Sequence, residues 1–371
     1  MAEKHRVERI EVEGFASILS ASVELGNLNV LVGANGAGKS NFIQALALLG
    51  RIADSELNLF VGLNGGAGAL LHSSASRAHI RLRLDARPNQ YEASLVSSAD
   101  DELIFENELL FHQDGAFDRL RQDSLGRGHR ESRLHGALER QESSRSAAWH
   151  VVDILHGCRV FHFHDTSANA PVKRHVSTAD NLTLRDDAGN LAAVLLALRD
   201  EEPSSYRRIV GAIRQVAPFF RDFVLLPEKN DSIRLRWREA DSDAVFSANQ
   251  MSDGTLRFIC LATLLLQPTL PALVVLDEPE LGLHPYAIVQ LAGLLRQAGT
   301  RSQVLIATQS VTLMNQFAVD DLIVVERHRG ESRFTRPDRG RLEKWLHEYS
   351  LGELWEKNLI GGRPGDTGAD D

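Results

Sequence analysis

The chain has 371 residues, 43% of them apolar and 25% charged, with a formal net charge of −9; that is enough for one large or two ordinary globular domains with a real core. The acidic balance excludes a general nucleic-acid coat, whose affinity would need a broadly basic surface, so any DNA contact must be local. The two cysteines, Cys158 and Cys260, lie in apolar stretches and fit neither a zinc spacing nor a disulfide framework, which points to a reducing cytoplasm.

Met1 to Arg6 lead directly into alternating strand sequence without an apolar leader. The longest apolar candidate, 259–276, is broken by Gln267, Pro268 and Pro271, so no membrane span is expected. Residues 6–13 and 18–25 alternate apolar and polar side chains and predict a hairpin. Leu28 to Val32 predicts a buried strand, and Asn41 to Ile52 a helix. The stretches 78–95 and 103–111 alternate again, as a half-exposed antiparallel sheet would. Residues 117–147 are polar and dotted with arginines, predicting a solvent-facing helical or partly mobile segment. Amphipathic helices are expected over 189–200 and 204–218, and strand character returns over 221–238. From Ser252 onward the pattern is helix 254–267, strand 272–277, helix 284–298, strand 303–307, helix 310–317 and strand 321–326. That alternation is the mark of a parallel sheet with crossover helices. The polar tail after Arg363 is expected to be disordered.

The run Gly33-Ala34-Asn35-Gly36-Ala37-Gly38-Lys39-Ser40, followed by Asn41, fits the phosphate loop Gly-x4-Gly-Lys-Ser/Thr between a strand and a helix. Glycines let backbone N–H groups curl around phosphate oxygens, Lys39 reaches the outer phosphates, and the Ser40 hydroxyl completes a magnesium shell. Far downstream, Leu273-Val274-Val275-Leu276-Asp277-Glu278-Pro279-Glu280 reads as a buried strand delivering two carboxylates at its C-terminal end. Asp277 would hold magnesium through water, and Glu278 would polarise the water that attacks the γ-phosphate of ATP. Lys39 and Asp277 are separated by far more chain than one crossover needs, so something is inserted between them. The expected organisation is a discontinuous nucleotide-binding lobe (1–75 and 245–345), a β-rich arm (76–115), an inserted mainly helical lobe (116–244) and a C-terminal helix with a disordered tail (346–371). No sustained heptads occur, which excludes a long coiled coil.

Met251-Ser252-Asp253-Gly254-Thr255-Leu256-Arg257-Phe258 opens an apolar helix before the acidic strand and resembles the signature motif of ATP-binding-cassette (ABC) ATPases. Leu281-Gly282-Leu283-His284-Pro285 resembles their D-loop, and Thr308-Gln309-Ser310 falls where their switch residue belongs. Gly14-Phe15, Gly38-Lys39-Ser40-Asn41 and Asp277 to Pro285 resemble the heads of the structural-maintenance-of-chromosomes (SMC), RecF and overcoming-lysogenisation-defect (OLD) ATPases. Phe161 to Ser167 and Tyr349 to Trp355 look like segments of stand-alone bacterial ATPases of that group. The fold implied is α/β: a P-loop NTPase of the ABC head type with a mixed, largely parallel sheet, an antiparallel β-arm and an inserted helical lobe.

The resemblance implies a magnesium-dependent ATPase that pairs head to tail as an ATP-bound homodimer, or a higher oligomer. Ser252 and the Gly254 amide would touch the partner's γ-phosphate. Asn35, Gly36, Ala37, Gly38, Lys39, Ser40 and Asn41 would hold the nucleotide, Ser40 and Asp277 the magnesium, and Glu278, Lys39 and Gln309 would carry the chemistry. The protein would act on DNA or on a DNA-directed partner, in repair or anti-phage defence, with any nuclease or effector encoded separately. Two departures stand out: the switch position holds Gln309 rather than histidine, and Asp253 places a carboxylate in the signature. Gln309 leaves room for an ATP-gated scaffold with little turnover. A transporter motor is a third reading, less favoured because the motifs look less like those of a transporter cassette; such a motor would have to dock on membrane subunits. No clear glutamine loop is present; His164 and Asp165 are candidates. His162, His164 and Asp165 could also be read as metal ligands or, more readily, as structural residues. Six arginines between Arg327 and Arg341 could track phosphates or form a solvated face.

Overall fold

The computed structural model describes residues 6–73, 79–114, 119–138 and 142–362. The expected N-terminal hairpin is Arg9–Phe15 (β1) and Ile18–Glu24 (β2). Gly14 has φ +69°, and a Cβ there would meet the His79 carbonyl oxygen at 2.0 Å, so only glycine fits where β1 crosses its neighbour. Leu28–Val32 (β3) is buried along its whole length and leads through the glycine loop into Lys39–Ala53 (α1).

Two six-stranded sheets flank α1. His79–Ala86 (β4), Asn89–Ser97 (β5), Leu103–Asp114 (β6) and Arg119–Gly126 (β7) extend the hairpin into an antiparallel sheet ordered β2-β1-β4-β5-β6-β7. The second sheet begins at one edge with Cys158–Phe161 (β8), which pairs in parallel with Leu273–Asp277. That strand pairs in parallel with Gln303–Thr308, which in turn pairs with β3. Leu322–His328 continues the parallel set beyond β3, and Glu331–Thr335 returns antiparallel at the far edge. Alternate residues of the inner strands face opposite ways. Leu31, Val275 and Leu305 pack toward α1 and the antiparallel sheet, whereas Val30, Val274 and Ile306 pack toward helices Leu191–Glu201, Pro203–Val216, Asp253–Leu266 and Pro285–Gly299. A strand buried on both faces shows in sequence as an unbroken apolar run.

The longest helices among the described residues have 15 residues, too short for a long coiled coil. None is long and apolar enough to cross a membrane. The structure differs from the sequence reading in several places. Arg119–Gly126, expected as helix, is an edge strand whose ladder with β6 supplies the order that its polar side chains do not. The chain beyond it is pinned by the buried Glu108 carboxylate, which accepts hydrogen bonds from the Tyr91 hydroxyl at 2.8 Å and the Arg133 amide at 2.9 Å. The helix expected over 310–317 is a single turn, Val311–Met314, and the C-terminal helix is two pieces, Arg339–Leu346 and Leu351–Glu356. β8, in a stretch whose apolar run 159–163 already reads as a strand, forms an edge of the central sheet. The expected disordered tail lies outside the described residues.

Gln303 opens its strand from a buried position and stitches the sheets together. Its Nε2 donates to the Val7 carbonyl at 2.8 Å and the Gly26 carbonyl at 3.0 Å, while its Oε1 accepts from the Val7 amide at 2.7 Å. Gln303→Leu is expected to lower unfolding free energy by about 2–4 kcal/mol in equilibrium denaturation, because it strands those buried groups; a loss below about 1 kcal/mol would show that the stitch carries little.

Candidate functional site

The parallel pairing aligns the C-terminal ends of β3, Gln303–Thr308 and Leu273–Asp277 at one edge of the sheet, the usual place for ligands in such folds. The loop after β3 places Asn35 and Gly36 on the surface and buries Ala37, Gly38 and Lys39. Gly38 precedes α1 with φ +111°, and a Cβ there would come within 2.0 Å of the Ser332 hydroxyl. Ser40 and Asn41 stand in the first turn of α1, Ser40 exposed. The Asn41 Nδ2 donates to the Ser17 hydroxyl at 2.6 Å, tying the helix start to the β1–β2 turn.

Lys39 is 5% exposed, and its Nζ donates to the carbonyls of Gly33 at 2.7 Å and Ala34 at 3.0 Å. Burial holds its pKa below the ordinary lysine value, while the neighbouring charges of Glu278, Asp277 and Glu280 pull it back up. The loop lysine and the strand acids, remote in sequence, therefore share one electrostatic site. The Asp277 Oδ1 is buried without a protein hydrogen-bond partner. A carboxylate oxygen of that kind, together with the Ser40 hydroxyl and phosphate oxygens, is a donor set suited to magnesium, which takes few protein ligands beside a nucleotide.

Glu278 has φ +44° and donates its amide to the Ala307 carbonyl at 2.9 Å. A left-handed non-glycine residue costs about 1 kcal/mol or more, so the turn is held by its surroundings. The Gln309 Nε2 donates to the Glu278 Oε1 at 2.8 Å, which holds the two side chains together. Behind them Glu280 is buried; its Oε1 accepts from the Thr308 hydroxyl, and its Oε2 has no protein partner. Burial raises the Glu280 pKa above the ordinary carboxyl value.

The signature segment sits apart from this loop. Ser252 caps helix Asp253–Leu266 by accepting from the Thr255 amide, and its side chain is exposed. A Cβ on Gly254 would meet the Gly282 carbonyl at 2.6 Å, which presses the signature against the D-loop. Arg257 fastens the two: it donates at 2.8 Å both to the Leu281 carbonyl and to the His164 carbonyl beyond β8. Among the described residues no hydrogen bond joins Ser252 or Gly254 to the glycine loop. Leu281 and Tyr286 stand 48% and 51% exposed beside this corner.

Sequence reasoning did not single out Arg257, Glu280 or Ser332, although the first two lie inside motifs it quoted. His162 follows β8 next to Asp277; burial lowers its pKa and Asp277 raises it. The His162 and His164 rings lie 6.4 Å apart, and the Asp165 Oδ1 accepts from the Ser167 amide. Among the described residues no three His, Cys, Asp or Glu side chains are placed to hold a metal, so the histidine-cage reading is not supported. Part of the arginine-rich 327–341 segment is structural: Arg336 donates to the Asp320 carbonyl and Asn29 Oδ1, each at 2.8 Å, and Arg339 pairs with Asp320. A recess of ≈ 1140 Å³ opens around Gly157, Ala272 and Ser302 at the opposite ends of the strands, and no residue of the glycine loop lines it.

A glycine loop and an Asp-Glu strand end on one sheet edge, with an antiparallel sheet packed over the loop helix, define a P-loop ATPase head of the ABC and SMC type. The chain belongs to the family described as "AAA domain, putative AbiEii toxin, Type IV TA system", which matches residues 28–315. A Methanosarcina acetivorans protein described as "Putative ABC transporter ATP-binding protein" is 33% identical over 115 residues, 31% of this chain and 38% of that protein. The chain thus matches well under half of that relative's length. The Smc head bound to the C-winged helix domain of ScpA is similar in structure, with TM-score 0.55 and 17% identity over 92% of this chain and 99% of that one. The Smc head domain with an extended coiled coil bound to the C-terminal domain of ScpA, derived from Pyrococcus furiosus, has TM-score 0.54 and 16% identity over the same shares. At these identities the likeness is one of fold. Membership of the AAA-domain family makes the chain an ATPase domain.

Because the folded-state pKa of Glu280 stands above its unfolded value, ionising it costs stability as pH rises through and above the unfolded carboxyl pKa of about 4.3. Glu280→Gln, which keeps the acceptor for Thr308, is therefore expected to gain in melting temperature relative to wild type between pH 5 and pH 8. A difference independent of pH would contradict the burial argument.

Proposed function

We propose that this ATPase is magnesium-dependent and works as an ATP-bound pair of heads, each ATP lying between the glycine loop of one copy and the Ser252–Gly254 signature of the other. The observation that carries the hydrolytic reading is the hydrogen bond from Gln309 to Glu278, on the same sheet edge as Lys39. The loop amides from Asn35 to Asn41 would bind the phosphates, and Lys39 would leave its loop carbonyls to meet the outer ones. When bound between the Ser40 hydroxyl, Asp277 and the nucleotide, magnesium supplies charge neutralisation on the phosphates. Glu278 accepts a proton from the attacking water, and Gln309 keeps that carboxylate in place without exchanging a proton itself.

Pairing is supported by the exposed Ser252 and by the exposed Leu281 and Tyr286 beside it, an arrangement in which signature and loop meet only between copies. DNA or a DNA-directed partner is the proposed target, supported by exposed Arg329 and Arg333 near the site. The toxin–antitoxin wording of the family description supports a defence setting over repair. The alternative is an ATP-gated scaffold holding a separate effector, favoured by the non-titrating Gln309.

Steady-state hydrolysis with and without duplex DNA tests these readings. Lys39→Ala and Glu278→Gln are each expected to lower kcat by about 100-fold or more, with Glu278→Gln still binding ATP; a rate unmoved by Glu278→Gln would favour the scaffold. Gln309→Ala is expected to lower kcat about 10-fold with KM nearly constant, since it positions the base without holding substrate. DNA that leaves turnover unchanged and does not bind would remove DNA from the proposal.

A further inference from the structure

The edge hairpin Leu322–His328 and Glu331–Thr335 lies along the glycine loop and braces it at three points, Gly36 and Ala37 directly and Ala34 through Gly362. The Ser332 Oγ is hydrogen-bonded to the Ala37 carbonyl at 2.7 Å and to the Ser17 hydroxyl at 2.6 Å. The Glu326 Oε1 accepts from the Gly362 amide at 2.8 Å, and the Gly362 carbonyl accepts from the Ala34 amide at 2.8 Å, so the C-terminal segment is clamped between hairpin and loop. Directly across the ladder from Ser332 is Arg327. Its Nη1 donates to the Gly36 carbonyl at 3.3 Å, at the loop apex.

The two cations at the loop are in opposite situations. Lys39 is buried, faces three carboxylates and is held by two carbonyls. Arg327 is exposed, and among the described residues no carboxylate lies within ion-pairing distance of it. Its one recorded contact is long and uses one of five guanidinium donors. Gly36 has φ +74° and open space where a Cβ would stand, so the loop apex presents bare backbone beside the guanidinium. A planar fork with unused donors is matched to phosphate oxygens rather than to a neutral carbonyl. The charge is surplus to the fold, since Ser332 and Gly362 already brace the loop without it.

We propose that Arg327 is a nucleotide-contacting residue that binds the terminal phosphate of a nucleoside triphosphate and so distinguishes triphosphate from diphosphate. This rests on the reading of the glycine loop as the nucleotide site. Arg327 then acts from the hairpin side while Lys39 acts from the helix side, and loss of the terminal phosphate returns the guanidinium to the Gly36 carbonyl. The hairpin thereby senses the nucleotide through a charge, whereas Ser332 is a positioning residue that serves any nucleotide equally.

Binding of ATP and ADP by titration calorimetry, with magnesium, separates these roles in the full chain. Wild type is expected to bind both nucleotides and Lys39→Ala to lose both; wild-type protein that binds neither would overturn the nucleotide site itself. Arg327→Ala is expected to weaken ATP by about tenfold and ADP by less than about threefold, with an unchanged melting temperature, and Arg327→Lys to recover part of the ATP loss. Ser332→Ala is expected to weaken both nucleotides alike. Equal weakening of ATP and ADP by Arg327→Ala, or none, would overturn the proposal while leaving the nucleotide site standing.

Discussion

Everything chemical in this molecule depends on the parallel pairing of β3 with Gln303–Thr308 and of that strand with Leu273–Asp277. It brings one lysine and three carboxylates to the same sheet edge although the chain between them runs through the antiparallel sheet and most of the helices. Burial makes that meeting consequential: Lys39 is pushed toward its neutral form by desolvation and held charged by its acidic neighbours, and Glu280 is pushed toward its protonated form. A site with three carboxylates around one lysine is short of positive charge. Cations arriving with a nucleotide would relieve it, which is why the same geometry that strains the free protein suits a magnesium–phosphate ligand.

The second constraint is mechanical. Arg257 ties the signature helix to the Leu281 carbonyl of the D-loop and to His164 beyond β8, while Gly254 and Gly282 allow the two segments to touch. The signature and D-loop are therefore held against each other and against the chain beyond β8. On the hairpin side, Ser332, Ser17 and Asn41 bind the glycine loop to the antiparallel sheet. In the proposed pair of heads, nucleotide would bridge one such edge of each copy.

Much of this was legible in the residues. The unbroken apolar runs before Gly33 and Asp277 marked strands buried on both faces, and the spacing of Gly33, Gly38, Lys39 and Ser40 marked a phosphate loop, because both are local patterns with one dominant physical cause. What was not legible depends on distant partners. Arg119–Gly126 has the side chains of a solvent-facing segment and becomes a strand through its backbone ladder with β6. Arg257 and Glu280 look like ordinary surface charges until Leu281, His164 and Thr308 are placed around them. Ser332 carries no sequence signal at all; its importance appears only once Gly38, Ala37 and Ser17 are placed around it.

Light scattering of the Glu278→Gln protein with and without magnesium and ATP tests the shared-nucleotide site most directly. A shift from the 41.0 kDa chain mass to twice that value on adding ATP, abolished by a further Ser252→Arg substitution, is the expected result. A mass that does not change with nucleotide, in a protein that demonstrably binds ATP, would contradict it.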